Sequence, residues 1–218
     1  MRKLTKGAKP NILIQKASLW TSELMGYIRR GEEVPKIIKE RYNHQEIKDA
    51  LKKETYGKCM YCEGEIGSVA YPHIEHFRPK SLYPELTFEW NNLGLGCPVC
   101  NINKHDVFNT SVPFINPYEE NPDDAFVFLG TMIKQKPGCI RAEFMISQLD
   151  LNRGELMEQR KAAIDNVSHL VERYVAETDP SVKQILRHTI EAEYGPGKPF
   201  SRSVKSAVEI LTREKWNE

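Results

Sequence analysis

The 218-residue sequence lacks a hydrophobic run long enough to cross a membrane or to form the core of a signal peptide. The apolar stretch that follows its basic first residues, Ile12-Leu13-Ile14, is too short for either role. The composition, 40% hydrophobic and 28% charged, is ordinary for a soluble globular protein. We therefore expect a cytoplasmic protein without a membrane partner, in a reducing compartment where disulfide bonds are rare.

The sequence also has little net charge, and this near-neutrality conceals an uneven distribution. The net charge of +1 combines a basic N-terminal region, with 14 Lys/Arg against 7 Asp/Glu in residues 1–58, with two mildly acidic regions after it. A basic flank suits contact with a phosphate backbone. Solvated helix faces carrying residues such as Arg29 and Arg30 explain the same charge, and the sequence leaves both interpretations open.

Cysteine is scarce, but four of the five cysteines form two Cys-x-x-Cys pairs. Each pair directs two thiolates at one centre, and two pairs complete the tetrahedral shell that Zn²⁺ prefers. The predicted structural zinc ligands are Cys59, Cys62, Cys97 and Cys100. The 34 residues between the pairs exceed the spacing of about 15–20 in a plain zinc ribbon. They enclose His73-Ile-Glu-His76, which places a base and a carboxylate inside the zinc-closed loop.

The hydrophobic patterning predicts an α+β protein. Helices are expected over residues 18–30 and 35–54, a short strand over 69–76, and a short helix beginning near Val99. A β-hairpin is expected over 126–135, with its turn near Gly130, and helices from residue 153 onwards. The predicted regions are a basic helical N-terminal region (1–58), a zinc-clamped ββα-metal core (59–118), and a hairpin followed by helices (119–218).

Several motifs resemble the HNH endonuclease family. The generic motif is carried by His76 preceded by an acid, by Trp90-Asn-Asn-Leu93, and by Cys97-x-x-Cys-Asn-x-x-Lys104. A wider set is similar to the HNH nuclease subunits (the PtuB family) of Septu anti-phage defence systems, relatives of which also occur beside retrons. This set comprises the opening Met-Arg-Lys-Leu, Tyr56-Gly-Lys-Cys-Met-Tyr-Cys-Glu63, His73-Ile-Glu-His-Phe-Arg-Pro-Lys-Ser81, Phe114-Ile-Asn-Pro-Tyr118, and Leu151-Asn-Arg-Gly-Glu-Leu156 with Arg160.

The resemblance implies metal-dependent hydrolysis of phosphodiester bonds in DNA or RNA. His76 is then the general base and Asn92 the residue that orients it, while Glu75 and Asn101 bind a catalytic cation. Oxygen ligands of this kind suit Mg²⁺ or Mn²⁺. His73 and His105 are further candidates for the metal shell, although a structural or substrate-contact role explains His73 equally well. Most HNH families have Asp where this chain has Glu75, so the geometry of its metal site is left open.

Three basic residues near the motif, Arg78, Lys80 and Lys104, are candidates for phosphate binding. The alternative for each is a solvated position on the surface.

Two other functions share some of these features. The order His-x-Glu followed by Cys-x-x-Cys is typical of zinc-dependent nucleobase deaminases. In a deaminase, proline is expected directly before the first cysteine of the Cys-x-x-Cys pair, where this chain has Gly96. The other pair, Cys59 and Cys62, would have no role in a deaminase. The third possibility is a non-catalytic zinc module that bridges partners.

The resemblance also implies partners: an ATPase subunit (PtuA-like) of the same defence system and, in retron-linked systems, a reverse transcriptase and its DNA. Residues 153–218 contain no recognisable chemistry and read as amphipathic helices. Their apolar stripes, or the basic N-terminal helices, are candidate docking surfaces for the ATPase, and completion of the protein's own core is the alternative. The stripes include Met157, Ile164, Val171, Val204, Val208 and Leu211.

Overall fold

A computed structural model describes residues 1–67, 72–214 and 216 as a largely helical protein with two small antiparallel sheets. None of the described helices combines the length and the hydrophobicity needed to span a bilayer. The elements in chain order are α1 (Asn11–Arg29), α2 (Lys36–Lys39), α3 (Gln45–Thr55), β1 (His73–His76), β2 (Leu93–Gly96), α4 (Pro98–Lys104), β3 (Phe126–Leu129), β4 (Met132–Gln135), α5 (Ile140–Gln148), α6 (Gly154–Ala176), α7 (Pro180–Glu193) and α8 (Ser201–Thr212).

The N-terminal helices differ from the sequence prediction in two ways. α1 begins at Asn11, directly after Pro10, and so is longer at its start than predicted. The single helix expected over 35–54 is two helices, α2 and α3, separated by residues 40–44. The break follows from His44, whose side chain accepts a hydrogen bond from the backbone N–H of Glu46 and so caps a new helix start. Ile37, on α2, is 78% exposed.

The hairpin of β1 and β2 holds the His73–His76 segment. β1 pairs antiparallel with β2, with His73 opposite Gly96 and His76 opposite Leu93. The predicted strand over 69–76 is confirmed for residues 73–76, whereas Val69, Ala70 and Tyr71 lie outside the described residues. One apolar cluster joins this hairpin to α1 and α3, so the N-terminal helices form the support for the strand. Its buried members include Leu13, Ile47, Leu51, Ile74, Trp90, Leu93 and Leu95.

The first cysteine pair lies directly against β2. The backbone N–H of Met60 donates to the carbonyl of Leu95 at 2.8 Å. A Cβ atom at Gly94 would lie 2.3 Å from Sδ of Met60, which is closer than any non-bonded contact allows. Glycine at position 94 therefore permits the approach of the cysteine turn to the strand.

The hairpin over residues 126–135 is confirmed, with Gly130 at φ +60° in its turn. Beyond it α6, α7 and α8 pack on one another around a separate apolar cluster. The apolar stripe predicted for this region lies mainly inside that cluster, so it completes the protein's own core rather than offering a free docking face. The cluster includes Val167, Val171, Tyr174, Leu186, Ile190, Val204, Val208 and Trp216. Leu211 is the stripe residue that stays exposed.

Arg160 ties the C-terminal helices to the rest of the chain. Its side chain is almost completely buried, and its guanidinium donates to the carbonyl of Thr131 at 2.9 Å and to that of Leu151 at 2.7 Å. These bonds connect α6 to the turn of the β3–β4 hairpin and to the segment between α5 and α6. A buried charge that satisfies two buried carbonyls is costly to remove, because both acceptors lose their donor.

We expect Arg160→Leu to lower the free energy of unfolding by about 2–4 kcal/mol, since two buried carbonyls lose a charged donor. Denaturant unfolding measures this change. Lys161→Ala is the matched control on the next residue of the same helix, where the amino group pairs with Asp165 on an exposed surface. A surface change of this kind stays within about 0.5 kcal/mol of the wild type. Equal stability of the two variants would contradict the structural role of Arg160.

Candidate active site

The two Cys-x-x-Cys pairs meet at one point. The four sulfur atoms of Cys59, Cys62, Cys97 and Cys100 all lie within 4.8 Å of one another, and the sulfurs of Cys62 and Cys97 are 3.9 Å apart. Tetrahedral zinc with Zn–S bonds of about 2.3 Å places its sulfurs about 3.8 Å apart. The four thiols are therefore positioned to bind a metal ion, and their chemistry and spacing fit zinc. The fifth cysteine, Cys139, is not a member of this group.

The surroundings of the cysteine cluster shift the pKa values of its thiols in opposite directions. The Arg153 guanidinium donates to Sγ of Cys100 at 3.9 Å. Hydrogen bonds from the neighbouring thiols lower the pKa of Cys97, whereas burial raises the pKa of the Cys59 thiol. The cluster also bears on the deaminase alternative, which requires a histidine beside two cysteines on the zinc. Here four cysteines share the centre, and the side chain of His73 contacts Asn101 instead.

His76 is held in one tautomer. Its Nε2 lies 3.0 Å from the carbonyl oxygen of Thr87. Because a carbonyl only accepts hydrogen bonds, Nε2 carries the proton and Nδ1 keeps the lone pair. The ring is 5% exposed, and the ring of Tyr42 packs edge-on against it with centroids 4.6 Å apart. Burial lowers the pKa of His76 to about 3, so the free protein holds a neutral imidazole.

Asn92 fixes the backbone that carries His76. Its Oδ1 accepts from the N–H of Arg78 at 2.8 Å, and its Nδ2 donates to the carbonyls of Arg78 and Leu86 at 3.0 and 3.2 Å. The carbonyl of Asn92 also accepts from the N–H of Phe77. All these contacts are with backbone groups on either side of the loop that follows β1. This geometry is compatible with the orienting role expected for Asn92.

Glu75 points away from His76 and is buried in an ion pair. Its Oε1 lies 2.7 Å from Nζ of Lys104 and accepts a hydrogen bond of 3.2 Å from the hydroxyl of Tyr61. Burial raises the pKa of Glu75, and the Lys104 ammonium opposes that shift. Lys104 also donates to the carbonyl of His76 at 2.9 Å. The structure thus corrects the expectation that Lys104 contacts phosphate, because its amino group is buried and used inside the protein.

His73 lies on the same face of β1 as Glu75, opposite to the face of His76, and Asn101 of α4 contacts His73 there. Nδ2 of Asn101 lies 3.1 Å from Nδ1 of His73, so the amide donates and Oδ1 of Asn101 faces elsewhere. Among the described residues, no hydrogen bond involves this Oδ1 or Oε2 of Glu75. A carboxylate oxygen and an amide oxygen are hard donors of the type that Mg²⁺ and Mn²⁺ prefer. The residues present therefore fit a divalent cation.

A cavity of about 630 Å³ unites most of the predicted site residues. Lys80 lines it, with its ammonium 5.2 Å from the ring centroid of Tyr42. His105 lines the cavity too, but its side chain is exposed and lies 3.7 Å from a carboxylate oxygen of Asp106. The Arg78 guanidinium lies beside the packed rings of Tyr83 and Phe108, 5.8 and 5.9 Å from their centroids, and Arg78 lines a different cavity. The cavity lining includes Tyr42, Lys48, His73, Glu75, His76, Lys80, Asn101, Lys104 and His105.

Sequence reasoning missed three residues of this site: Tyr42, Lys48 and Tyr61. Tyr42 and Lys48 belong to no motif, so neither carries a local signal of its role. Tyr61 lies between Cys59 and Cys62 in the sequence. Its place inside the first cysteine pair was therefore the one available clue that it would reach Glu75.

The comparisons with known proteins agree with this geometry. A family model for the HNH endonuclease domain matches residues 59–107. The chain is 30% identical over 202 residues to the Septu protein PtuB of Bacillus mycoides (strain KBAB4), an alignment that covers 78% of this chain and 68% of that relative. It is 29% identical over 151 residues to the Septu protein PtuB of Bacillus thuringiensis, which covers 69% of this chain and 54% of that relative.

We expect about one tightly bound zinc per chain, measured by elemental analysis. Cys59→Ser should give insoluble or unfolded protein, because metal binding of about 10–16 kcal/mol in such sites is largely folding free energy. Cys139→Ser is the matched control: it removes the one cysteine outside the cluster and should leave zinc content and folding intact. Soluble, folded wild-type protein without zinc would refute the assignment.

Proposed function

The chain belongs to the Septu PtuB family and carries an HNH endonuclease domain, and on this premise we propose that it is a metal-dependent endonuclease serving in anti-phage defence. The observation that carries the proposal is the state of His76, a neutral imidazole whose Nε2–H is bonded to the carbonyl of Thr87. Nδ1 is left to accept a proton. The same cavity contains the side-chain oxygens of Glu75 and Asn101, which suit a divalent cation.

The proposed reaction uses the residues that line the cavity. Nδ1 of His76 takes a proton from water, the water oxygen bonds to phosphorus, and the bond from phosphorus to the 3′ oxygen breaks. The departing oxygen takes a proton from solvent, which leaves 5′-phosphate and 3′-hydroxyl ends. The negative charge of an arriving phosphodiester raises the pKa of His76 from its low value in the free protein and so makes the imidazole a better base.

The remaining residues of the cavity position the substrate and the base. Lys80 lies beside Tyr42 at the His76 ring, where its ammonium can pair with a phosphate oxygen. Asn92 holds the loop after β1, and the ring of Tyr42 limits the rotation of the imidazole. Glu75 and Asn101 would hold Mg²⁺ or Mn²⁺, which supplies positive charge to the developing phosphorane and the leaving oxygen.

We also propose that the protein acts together with an ATPase subunit (PtuA-like), as the Septu resemblance implies. A nuclease that cut nucleic acid without control would damage its own cell. Most of the apolar stripe of α6 and α8 lies in the protein's own core. The candidate docking surfaces are therefore its exposed remainder at Leu211, other surfaces of the C-terminal helices, and the basic N-terminal helices.

We expect His76→Ala to reduce cleavage of labelled DNA or RNA, assayed with added Mg²⁺ or Mn²⁺, by about 10²–10⁴-fold, the usual contribution of a general base. Zinc content and the unfolding transition should stay close to those of the wild type. His169→Ala is the control, since His169 is an exposed histidine on α6. Cleavage by the His76 variant within a few-fold of the wild type would exclude His76 as the base and would favour the non-catalytic alternative.

Co-expression with a PtuA-like ATPase subunit should give a complex that survives affinity purification. The His76→Ala variant should form the same complex, because the substitution lies in a cavity wall and not on an outer helix face. Size-exclusion chromatography with light scattering measures the assembly. If the chain elutes alone under these conditions, it acts as a stand-alone nuclease and the partnership is wrong.

A further inference from the structure

We propose that a second cavity, formed by the N-terminal segment and the end of α3, binds a nucleoside phosphate. This cavity has a volume of about 600 Å³ and is bordered by residues 2–8, by the last turn of α3 and by the first cysteine pair. Its lining shares no residue with that of the cavity around His76. The volume falls within the range of about 300–1,000 Å³ that small-molecule sites occupy.

The acidic residues of this cavity are neutralised from within the protein. The Glu54 carboxylate accepts hydrogen bonds from Nζ of Lys6 at 3.1 Å and from the hydroxyl of Tyr118 at 2.9 Å. The Glu63 carboxylate accepts one from the hydroxyl of Ser201 at 2.6 Å, and Nζ of Lys58 lies 4.0 Å from it. Both carboxylates are nearly inaccessible to solvent. They therefore contribute little negative charge toward a ligand in the cavity.

Three of the five basic residues that line the cavity keep their charge available. Arg2, Lys3 and Lys53 line it, and none of the three forms an ion pair with the residues that the structure describes. Lys3 donates one hydrogen bond, to the carbonyl of Tyr118, which leaves two of its three ammonium protons. Three uncompensated cations around one concave surface favour an anion, and a phosphate group accepts several charge-assisted hydrogen bonds at once.

An aromatic ring beside these cations favours a nucleoside phosphate over a plain anion. Tyr56 lines the cavity and is 60% exposed, and its ring centroid lies 5.9 Å from Nζ of Lys58. It caps the C-terminus of α3 in the left-handed conformation, with φ +54°. An exposed aromatic face is the surface on which nucleobases stack in proteins that bind nucleotides or single strands. The base would stack on Tyr56 while Lys53 and its neighbours hold the phosphate.

The nucleoside phosphate has two possible sources: a free nucleotide, or one nucleotide of a single strand that also passes through the cavity around His76. The site does not depend on cleavage, so its test is separate from that of the proposed nuclease. Binding is measured with the His76→Ala protein and without added divalent cation. ATP is titrated by calorimetry, and a fluorescein-labelled single-stranded 12-mer, as DNA and as RNA, by anisotropy.

We expect Lys53→Ala and Tyr56→Asn each to weaken the binding of ATP or of the oligonucleotide by about tenfold, in keeping with the loss of a phosphate contact or of a stacked base. Asparagine is chosen at position 56 because it tolerates the left-handed conformation. Lys52→Ala is the matched control: Lys52 precedes Lys53 on α3, is exposed as Lys53 is, and lines neither cavity. Its effect should stay below about twofold, as for a charge that contacts no ligand.

The pattern of binding identifies the source. ATP binding that is sensitive to Lys53 and Tyr56 supports a free-nucleotide site, whereas sensitivity with the oligonucleotide alone supports a path for a strand. Equal effects of Lys52→Ala and Lys53→Ala would overturn the proposal, because only general charge would then matter. In another outcome, inorganic phosphate displaces ATP fully while Tyr56→Asn leaves ATP binding unchanged. That result would overturn the assignment of a nucleoside site, because the cavity would then recognise only the phosphate. Retained zinc content and unfolding midpoints confirm that each variant is folded.

Discussion

The meeting of four thiols at one point determines where the chain between the two cysteine pairs lies. The two cysteine pairs are separated by 34 residues, and ordering such a loop has an entropic cost that grows with its length. A metal bound by the four thiolates offsets that cost and fixes both ends of the loop. The first pair lies against β2 through the bond from Met60 to Leu95, and the second begins α4. β1 is then confined between them, with His76 on one of its faces and Glu75 on the other.

Buried charges set the finer geometry of the protein. Three buried charged contacts connect segments that are separate in the sequence. They are the pair of Glu75 and Lys104, the pair of Glu54 and Lys6, and the bonds from Arg160 to two carbonyls. Removing such charges from water costs several kcal/mol per ion, and only close partners offset it. Each of these contacts therefore restricts how the segments that it joins can lie against each other. The pair of Glu75 and Lys104 is the clearest case, since the same ammonium also donates to the backbone carbonyl of His76 and so couples the Glu75 carboxylate to the backbone of His76.

The parts of the structure that depend on local chemistry could be predicted from the sequence. The hairpin over 126–135 follows from strand patterning around Gly130, and the cysteine cluster and α4 follow from the paired cysteines and Pro98. The break between α2 and α3 could not be read from periodicity, because it depends on one capping side chain, His44. The contacts of Tyr42 with His76 could not be predicted either, since they arise only when the N-terminal helices pack on the hairpin.

The close approach of the first cysteine turn to β2 has a consequence for how this chain can vary. Gly94 has no room for a side chain because Sδ of Met60 occupies the space where a Cβ would stand. A larger residue at 94 therefore requires the Met60 side chain to move away or to be replaced by a smaller one. Among homologues these two positions are expected to change together, as a correlated pair, even though neither lines the cavity around His76 or belongs to the cysteine cluster.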